Sequence, residues 1–347
     1  MARLAAAIWL LVSPATLVAQ PVAVFTGCDG GTSDLYRLDL DSLRISRLTH
    51  SPANEREAAI SPDGTQIVFV SDRDGAPALY LMSATASDSE IRLTSGTGAY
   101  AHPSFAPDGR SVTARYAPDP ANPLQKTQLV SISILEKTRT VLVEGATTFP
   151  SDEDVLKVVD YPAWFDAGVL LFAVAEYSGG NAPRLTSSGI WRFTAGTRRV
   201  THLAGGESYY DAKGRSIGFK ATMPHREGPH VAFVAIRGSS DRRPMVSSQT
   251  GQQATAGAIR DPEFVGPCLA VGKQFLYVIE EATGTWRLAL KGAGEKTRRV
   301  IPFSGDASEP AVIPDRAFEG GPLSQLLDRA SKGTLDTRNT RCDLCAT

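Results

Sequence analysis

The sequence predicts an all-β chain, a six-bladed β-propeller of four-stranded antiparallel blades, closed by a C-terminal strand that joins the N-terminal blade. Three observations carry this expectation. A strand–turn–strand–turn–strand unit runs from Ala59 to Met82. Its first turn returns about 45 residues later, which is the period of propeller blades. Two separate markers then recur six times each, in the same order along the chain.

In the founding unit, Ser61-Pro62-Asp63-Gly64 reverses the chain between Ala59-Ile60 and the apolar run Ile67 to Val70. Pro62 fixes its own φ, Asp63 suits an Asx-turn, and Gly64 supplies positive φ. Ser71-Asp72-Arg73-Asp74-Gly75 makes the next turn, ahead of the strand Leu79-Tyr80-Leu81-Met82. A meander of three strands cannot cover its own apolar faces, so it needs neighbours. Ala106-Pro107-Asp108-Gly109 supplies the next copy of the turn.

The first marker is the strand ahead of each such turn. It reads Glu57-Ala58-Ala59-Ile60, His102-Pro103-Ser104-Phe105, Tyr161-Pro162-Ala163-Trp164, Glu207-Ser208-Tyr209-Tyr210, Asp261-Pro262-Glu263-Phe264 and Glu309-Pro310-Ala311-Val312. Each segment ends in a large apolar or aromatic residue. The second marker is an arginine ahead of a short β-forming run, at Arg47, Arg92, Arg139, Arg199, Arg243 and Arg299. At the fifth copy Pro244 follows the arginine, which suits an edge strand only.

The two ends of the repeat complete each other. Val22-Ala23-Val24-Phe25 opens a first unit that lacks its innermost strand, while Glu309 to Val312 is an innermost strand with no meander after it. Joined, they make one blade, and the ring has no open seam.

The series Ser61-Pro62-Asp63-Gly64, Ser71-Asp72-Arg73-Asp74-Gly75, Leu79-Tyr80-Leu81-Met82 and Arg92-Leu93-Thr94 resembles the blade repeat of TolB-like β-propellers. The resemblance implies a periplasmic six-bladed propeller, and in that family the propeller binds the peptidoglycan-associated lipoprotein. The α/β domain that precedes the propeller in TolB has no counterpart ahead of Val22, so a propeller standing alone is expected. Related repeats also precede protease domains, but no Gly-x-Ser-x-Gly nucleophile elbow occurs in this sequence.

Residues 1–19 read as a signal peptide, with Arg3 followed by the apolar run Leu4 to Val12 and small residues up to Ala19. Export to the periplasm or beyond the cell follows from this reading. Residues 20–318 are assigned to the propeller and 319–347 to a tail. In that tail Leu323, Leu326 and Leu327 fall at helical spacing and predict one short amphipathic helix. The chain has 36 Lys and Arg against 37 Asp and Glu, a balance that offers no basic stripe for nucleic acid and no polybasic patch for a membrane. No transmembrane span is expected after signal cleavage, and a monomer is expected.

Propeller topology places the starts of the innermost strands around one mouth of the central channel. The residues there are Glu57, His102, Tyr161, Glu207, Asp261 and Glu309, all polar. Loops assigned to the same mouth carry Asp72, Asp74, Glu176, Tyr177, Glu280, Glu281, Asp29, Asp34, His225, Arg226, Glu227 and His230. An acidic mouth suits an envelope protein or a basic peptide as partner, with charge complementarity for steering. A wet, satisfied rim without any ligand accounts for the same residues.

The leading expectation is therefore an exported protein-binding module or scaffold without cofactor. The alternative is a metal-dependent lyase or hydrolase for a carbohydrate or lactone, with His102, His225 and His230 holding a divalent cation among carboxylates. No His-x-x-His spacing supports that set, so its ligands would have to converge from different blades. Cys28, Cys268, Cys342 and Cys345 are the disulfide candidates of an exported chain, and their pairing is open.

Overall fold

The computed structural model describes residues 22–85, 89–149, 155–178, 184–206, 220–227, 229–237, 241–247, 254–256, 261–271, 274–292 and 295–312. The expected signal peptide, the expected helix of the tail, Glu207, Cys342 and Cys345 lie outside them.

The strands follow in chain order. The first group is β1 (Val22–Cys28), β2 (Ser33–Asp39) and β3 (Ile45–Arg47). The next two are β4 (Glu55–Ile60), β5 (Gln66–Ser71), β6 (Ala78–Ser83), β7 (Ile91–Arg92), and β8 (Ala99–Phe105), β9 (Ser111–Ala117), β10 (Gln128–Ser133), β11 (Arg139–Glu144). Blade four has the longest strands: β12 (Val155–Asp166), β13 (Val169–Ser178), β14 (Arg184–Thr194), β15 (Arg199–Gly205). Blade five is β16 (Lys220–Glu227), β17 (His230–Arg237), β18 (Asp241–Ser247), β19 (Ala254–Ala256). Blade six is β20 (Phe264–Val271), β21 (Gln274–Glu280), β22 (Trp286–Gly292), β23 (Arg299–Val300), and β24 (Asp306–Val312) follows.

They form six four-stranded sheets. The first has the order β24-β1-β2-β3, with Ala23 opposite Val312 and Cys28 opposite Asp306, so the C-terminal strand closes the ring as expected.

The second strand of each blade is buried on both faces, which explains its unbroken apolar sequence. In β5, Ile67 and Phe69 pack with Val24 and Leu35 of blade one, while Val68 and Val70 pack with Tyr100 and Val112 of blade three. The same alternation of period two carries the core around the ring. Leu170 and Phe172 of β13 face blade three, and Leu171 and Ala173 face blade five. Leu276 and Val278 of β21 join Ala23 and Phe25 across the closure. Among the described residues, six apolar clusters thus sit between blades, each drawing on two neighbouring blades.

The two sequence markers have distinct physical jobs. At the turn, Gly64 takes φ 76° and donates to Ser61 O at 2.9 Å, while Asp63 Oδ1 accepts from Thr65 N at 3.0 Å. At the outer edge, Arg92 Nε donates to Thr94 O at 2.7 Å and Thr94 Oγ1 accepts from Leu79 N at 3.0 Å. Blade one repeats the device with Arg47 to Thr49 O at 2.8 Å and Leu35 N to Thr49 Oγ1 at 2.9 Å. The motif therefore ties a short fourth strand to the third and bends the chain toward the next blade. Arg243 departs from the pattern, since it lies in β18, a third strand, with Pro244 opposite Val234 beyond the last pair to β19.

Candidate site in the central channel

Every innermost strand carries a β-bulge. The pairing slips between Arg56 and Ala59, Ala101 and Ser104, Asp160 and Ala163, Thr222 and His225, and Phe264 and Cys268. In the closing blade the slip lies between Val24 and Thr26 of β1, opposite Glu309 and Pro310 of β24. In five bulges one residue is left-handed: Glu57 (φ 56°), His102 (49°), Tyr161 (51°), Met223 (53°) and Glu309 (51°). A proline follows it in four of these, and having no N–H to lose, it fits the unpaired place of a bulge. Such backbone is costly for residues other than glycine, so its fivefold use marks a position that the surrounding ring enforces.

These bulges turn backbone N–H groups and side chains toward a central cavity of about 350 Å³. Its wall is mostly apolar and rich in proline, with Pro103, Pro162, Pro224, Pro267 and Pro310 among the lining residues. The bulge residues form one end, here the mouth. The turns at Pro62 and Pro107 form the far end, about 10 Å along the strands.

At the mouth, side chains of successive blades are linked in a chain. Glu309 Oε2 accepts from Thr26 Oγ1 at 2.8 Å and from Glu57 N at 2.9 Å. Glu57 Oε2 accepts from His102 N at 2.5 Å. His102 Nδ1 meets Asp160 Oδ1 at 2.6 Å, and that same oxygen accepts from Tyr161 N at 2.8 Å. Arg115 Nη1 donates to Asp160 Oδ2 at 3.1 Å, and the Tyr161 ring stacks on His102 with centroids 3.9 Å apart. Each carboxylate thus holds an N–H that the bulge had freed, and most of these links cross from one blade to the next.

The charges follow from this packing. Burial works against a charged His102, but the Asp160 and Glu57 carboxylates outweigh it and push the imidazole up to about 9. Burial likewise opposes the Asp160 charge, yet His102 and Arg115 hold its carboxyl below the usual range. Glu309 is raised, by burial first and by the neighbouring Glu57 second. Tyr161 is raised chiefly by burial and stays a phenol.

The structure brings together four of the six residues assigned to the mouth: Glu57, His102, Tyr161 and Glu309. Glu207 lies outside the described residues, and Met223 takes the fifth place. Asp261 precedes β20, bonds to Arg298 and to Tyr277 Oη at 3.0 Å, and does not line the cavity. The sixth bulge spans Val265, Gly266 and Pro267 instead. Spacing and acidity drew the alignment to Glu207 and Asp261. The signal that marks the right segments is the proline, in Met223-Pro224 and Gly266-Pro267.

The loops assigned to the mouth hold paired carboxylates. Asp34 pairs with Arg47 at 2.7 Å, Asp74 with Arg92 at 2.9 Å, Glu176 with Lys157 at 3.0 Å and Glu281 with Arg287 at 3.4 Å, while Asp72 accepts from Asn54 N at 2.8 Å. His225 and His230 belong to the hairpin of β16 and β17, toward the far end.

The histidine set does not fit a metal centre. His102 Nδ1 is committed to Asp160, His225 sits deeper on another blade, and His230 does not line the cavity. Among the described residues no group of three His, Cys, Asp or Glu is placed to hold an ion. Cys28 and Cys268 are not bonded to each other.

Residues 18–156 match the family model described as the TolB beta propeller domain. That stretch of the propeller is similar to TolB blades. TolB from Acinetobacter baumannii is 17% identical with a TM-score of 0.62, over 85% of this chain and 67% of that one. The nidogen/laminin complex contains a chain 10% identical with a TM-score of 0.56, over 84% and 98%. A Mycobacterium tuberculosis puromycin-hydrolyzing peptidase is 14% identical with a TM-score of 0.52, over 80% and 42%. At such identities the likeness is one of fold. No helix among the described residues of this TolB-like propeller is long and apolar enough to cross a membrane.

Proposed function

We propose that this TolB-like propeller is an exported binding module of the cell envelope, which takes a segment of a partner protein into the mouth of its channel. The observation that carries the reading is the linked mouth. Glu309, Glu57, His102, Asp160 and Tyr161 are fixed by one another before any ligand arrives, so binding there orders little that is not already ordered. Export rests on the leader at residues 1–19. A cavity of about 350 Å³ suits a few residues of extended chain. The carboxyl groups at the entrance favour a basic segment.

The test is capture of envelope proteins by the wild type and by Glu57→Gln and His102→Gln variants, each shown by circular dichroism to be folded. A specific partner, identified by mass spectrometry and lost with both variants, is the expected result. A partner retained by both variants would move binding away from the channel. Elemental analysis of the same preparations adds a second arm. Near-stoichiometric zinc or manganese that falls on changing His102 or His225 would overturn the binding-module reading in favour of a metalloenzyme.

A further inference from the structure

Beyond the bulges, the innermost strands line the far half of the channel with carbon. The second residue after the bulge is Ile60, Phe105, Trp164, Leu269 or Val312 in five of the six blades, and the turns at Pro62 and Pro107 continue the wall to the opening. Trp164 spends its indole N–H on Thr113 Oγ1 at 3.0 Å, so it too offers only its ring. In blade five, His225 Nδ1 lies 3.5 Å from Met223 O and Arg226 stacks on the Phe165 ring. Trp164, Leu269 and Val312 are half-buried and Pro107 is exposed. The mouth satisfies its polar groups internally, whereas the far end leaves apolar surface open to water, and water favours covering it.

The chain itself delivers a cover to that place. β24 runs from the mouth to the far end, with Glu309 in its bulge and Val312 opposite Ala23 in the wall, so the segment after Val312 starts at the rim of the opening. Its sequence, outside the described residues, reads Gly320-Gly321-Pro322, then Leu323, Leu326 and Leu327, then Gly333. Proline at the first helical position and glycine just past the last one bracket a helix of about three turns. In such a helix the leucines share one face and Gln325, Asp328 and Arg329 the other. A helix this short is marginal in water by itself, and its leucine face needs a partner surface.

We propose that residues 322–332 dock as a helix over the far opening, with Leu323, Leu326 and Leu327 against Trp164, Leu269, Val312 and Pro107. The tether decides for this segment over a second copy of the chain or a separate apolar molecule. Residues 313–321, extended, span about 30 Å, enough to turn back over the opening, and such a linker holds the helix there at a millimolar effective concentration. The proposal goes beyond the binding reading of the mouth and does not depend on it. It makes the channel a pocket with one entrance, on the side of Glu57 and His102.

Hydrogen exchange read by mass spectrometry tests this on the purified protein and on a Leu326→Asp, Leu327→Asp double variant, with thermal melts showing that the propeller of the variant is folded. Amides of residues 325–332 are expected to exchange about a hundredfold more slowly in the wild type than in the variant, because only a docked helix of this length is protected. A photo-crosslinking residue, benzoylphenylalanine, at the exposed position of Pro107 then locates the helix. Its cross-links should fall on residues 322–332 of the same chain, which mixing isotopically light and heavy protein distinguishes from another copy. Equal exchange in wild type and variant would overturn the proposal. Protection without a cross-link from Pro107 would place the helix elsewhere on the ring and overturn it as well. Cross-links between light and heavy chains would make the occupant a second copy. Capture of a partner through Glu57 and His102 is measured separately, and its success or failure leaves each of these outcomes unchanged.

Discussion

The channel mouth has two halves built on one backbone device and furnished differently. Across blades one to four, the left-handed bulge positions carry Glu309, Glu57, His102 and Tyr161, and their side chains are tied together through Asp160 and Thr26. In blade five the same conformation carries Met223, which packs on the apolar cluster between blades five and six. The bulge is thus a requirement of the ring, since it persists whichever side chain occupies it. What varies from blade to blade is the chemistry presented to the channel, and that is where function is to be sought.

The largest break in this comparison should come from His102→Ala. It leaves the buried Asp160 facing only Arg115 and removes the cation beside Glu57, so a loss of about 3 kcal/mol is expected in denaturant unfolding. Met223→Ala, the matching truncation in the other half, removes half-buried apolar contact alone and should cost about 1 kcal/mol. Equal losses would show that the linked half is no more than packing.

The same histidine gives the comparison a pH axis. His102 titrates near 9 in the folded chain, above its unfolded value of about 6.5. A group raised on folding binds its proton more tightly in the native state, so its contribution is complete below about pH 6.5 and is lost as pH rises through 9. The difference in melting temperature between the wild type and His102→Gln should therefore shrink from pH 6 to pH 10. A difference that stays constant over that window would mean that the imidazole is neutral throughout.

How much of this could be read from the sequence differs between the two halves for a physical reason. The blade period, the Pro-Asp-Gly turns and the Arg-Leu-Thr edge motif are local signals, each answered within a few residues by hydrogen bonds such as Gly64 to Ser61 and Arg92 to Thr94. They yielded the number of blades and the closure by β24. Glu57, His102, Tyr161 and Glu309 were legible because they sit in segments that keep this local pattern. Blade five lacks a Pro-Asp-Gly turn, and its Arg243 falls on a third strand, so the repeat was placed on Glu207 to Tyr210; His225 was singled out only as a polar residue, and the Met223-Pro224 pair beside it, whose proline marks the inner strand, was passed over. Asp160 and Arg115 were missed for another reason. Their roles arise from contacts 58 and 45 residues apart in sequence, between blades, and no spacing rule reports them.

A smaller effect sharpens the claim that the bulge and its side chain are separable. Met223→Glu places in blade five the residue that blades one and two carry at the same backbone conformation. With the backbone already left-handed, the cost should be confined to lost apolar contact with the blade five and six cluster, about 1 kcal/mol, with the fold retained. Circular dichroism and a single cooperative melt would show this. Collapse of the propeller would instead mean that Met223 itself, and not the ring, holds the bulge.

The smallest effect concerns the closing strand, and its sign is opposite. Glu309 belongs to β24, and its Oε2 joins the closure to both β1, through Thr26, and blade two, through the Glu57 N–H. Burial and the charge of Glu57 raise its pKa, so this group favours the folded state most at low pH, and its contribution falls as pH rises through the folded value. Glu309→Gln keeps an acceptor oxygen for both donors and removes the repulsion with Glu57. It should therefore raise stability near neutral pH, by about 1 kcal/mol or less, and the gain should vanish in acid, where the wild-type carboxyl is protonated. A variant less stable than the wild type at pH 7 would mean that the Glu309 charge is needed by the Glu57 and Thr26 donors more than it is opposed by its neighbour. The closure would then be held by a carboxylate, and the polar half of the mouth would be fully ionised before any partner arrives.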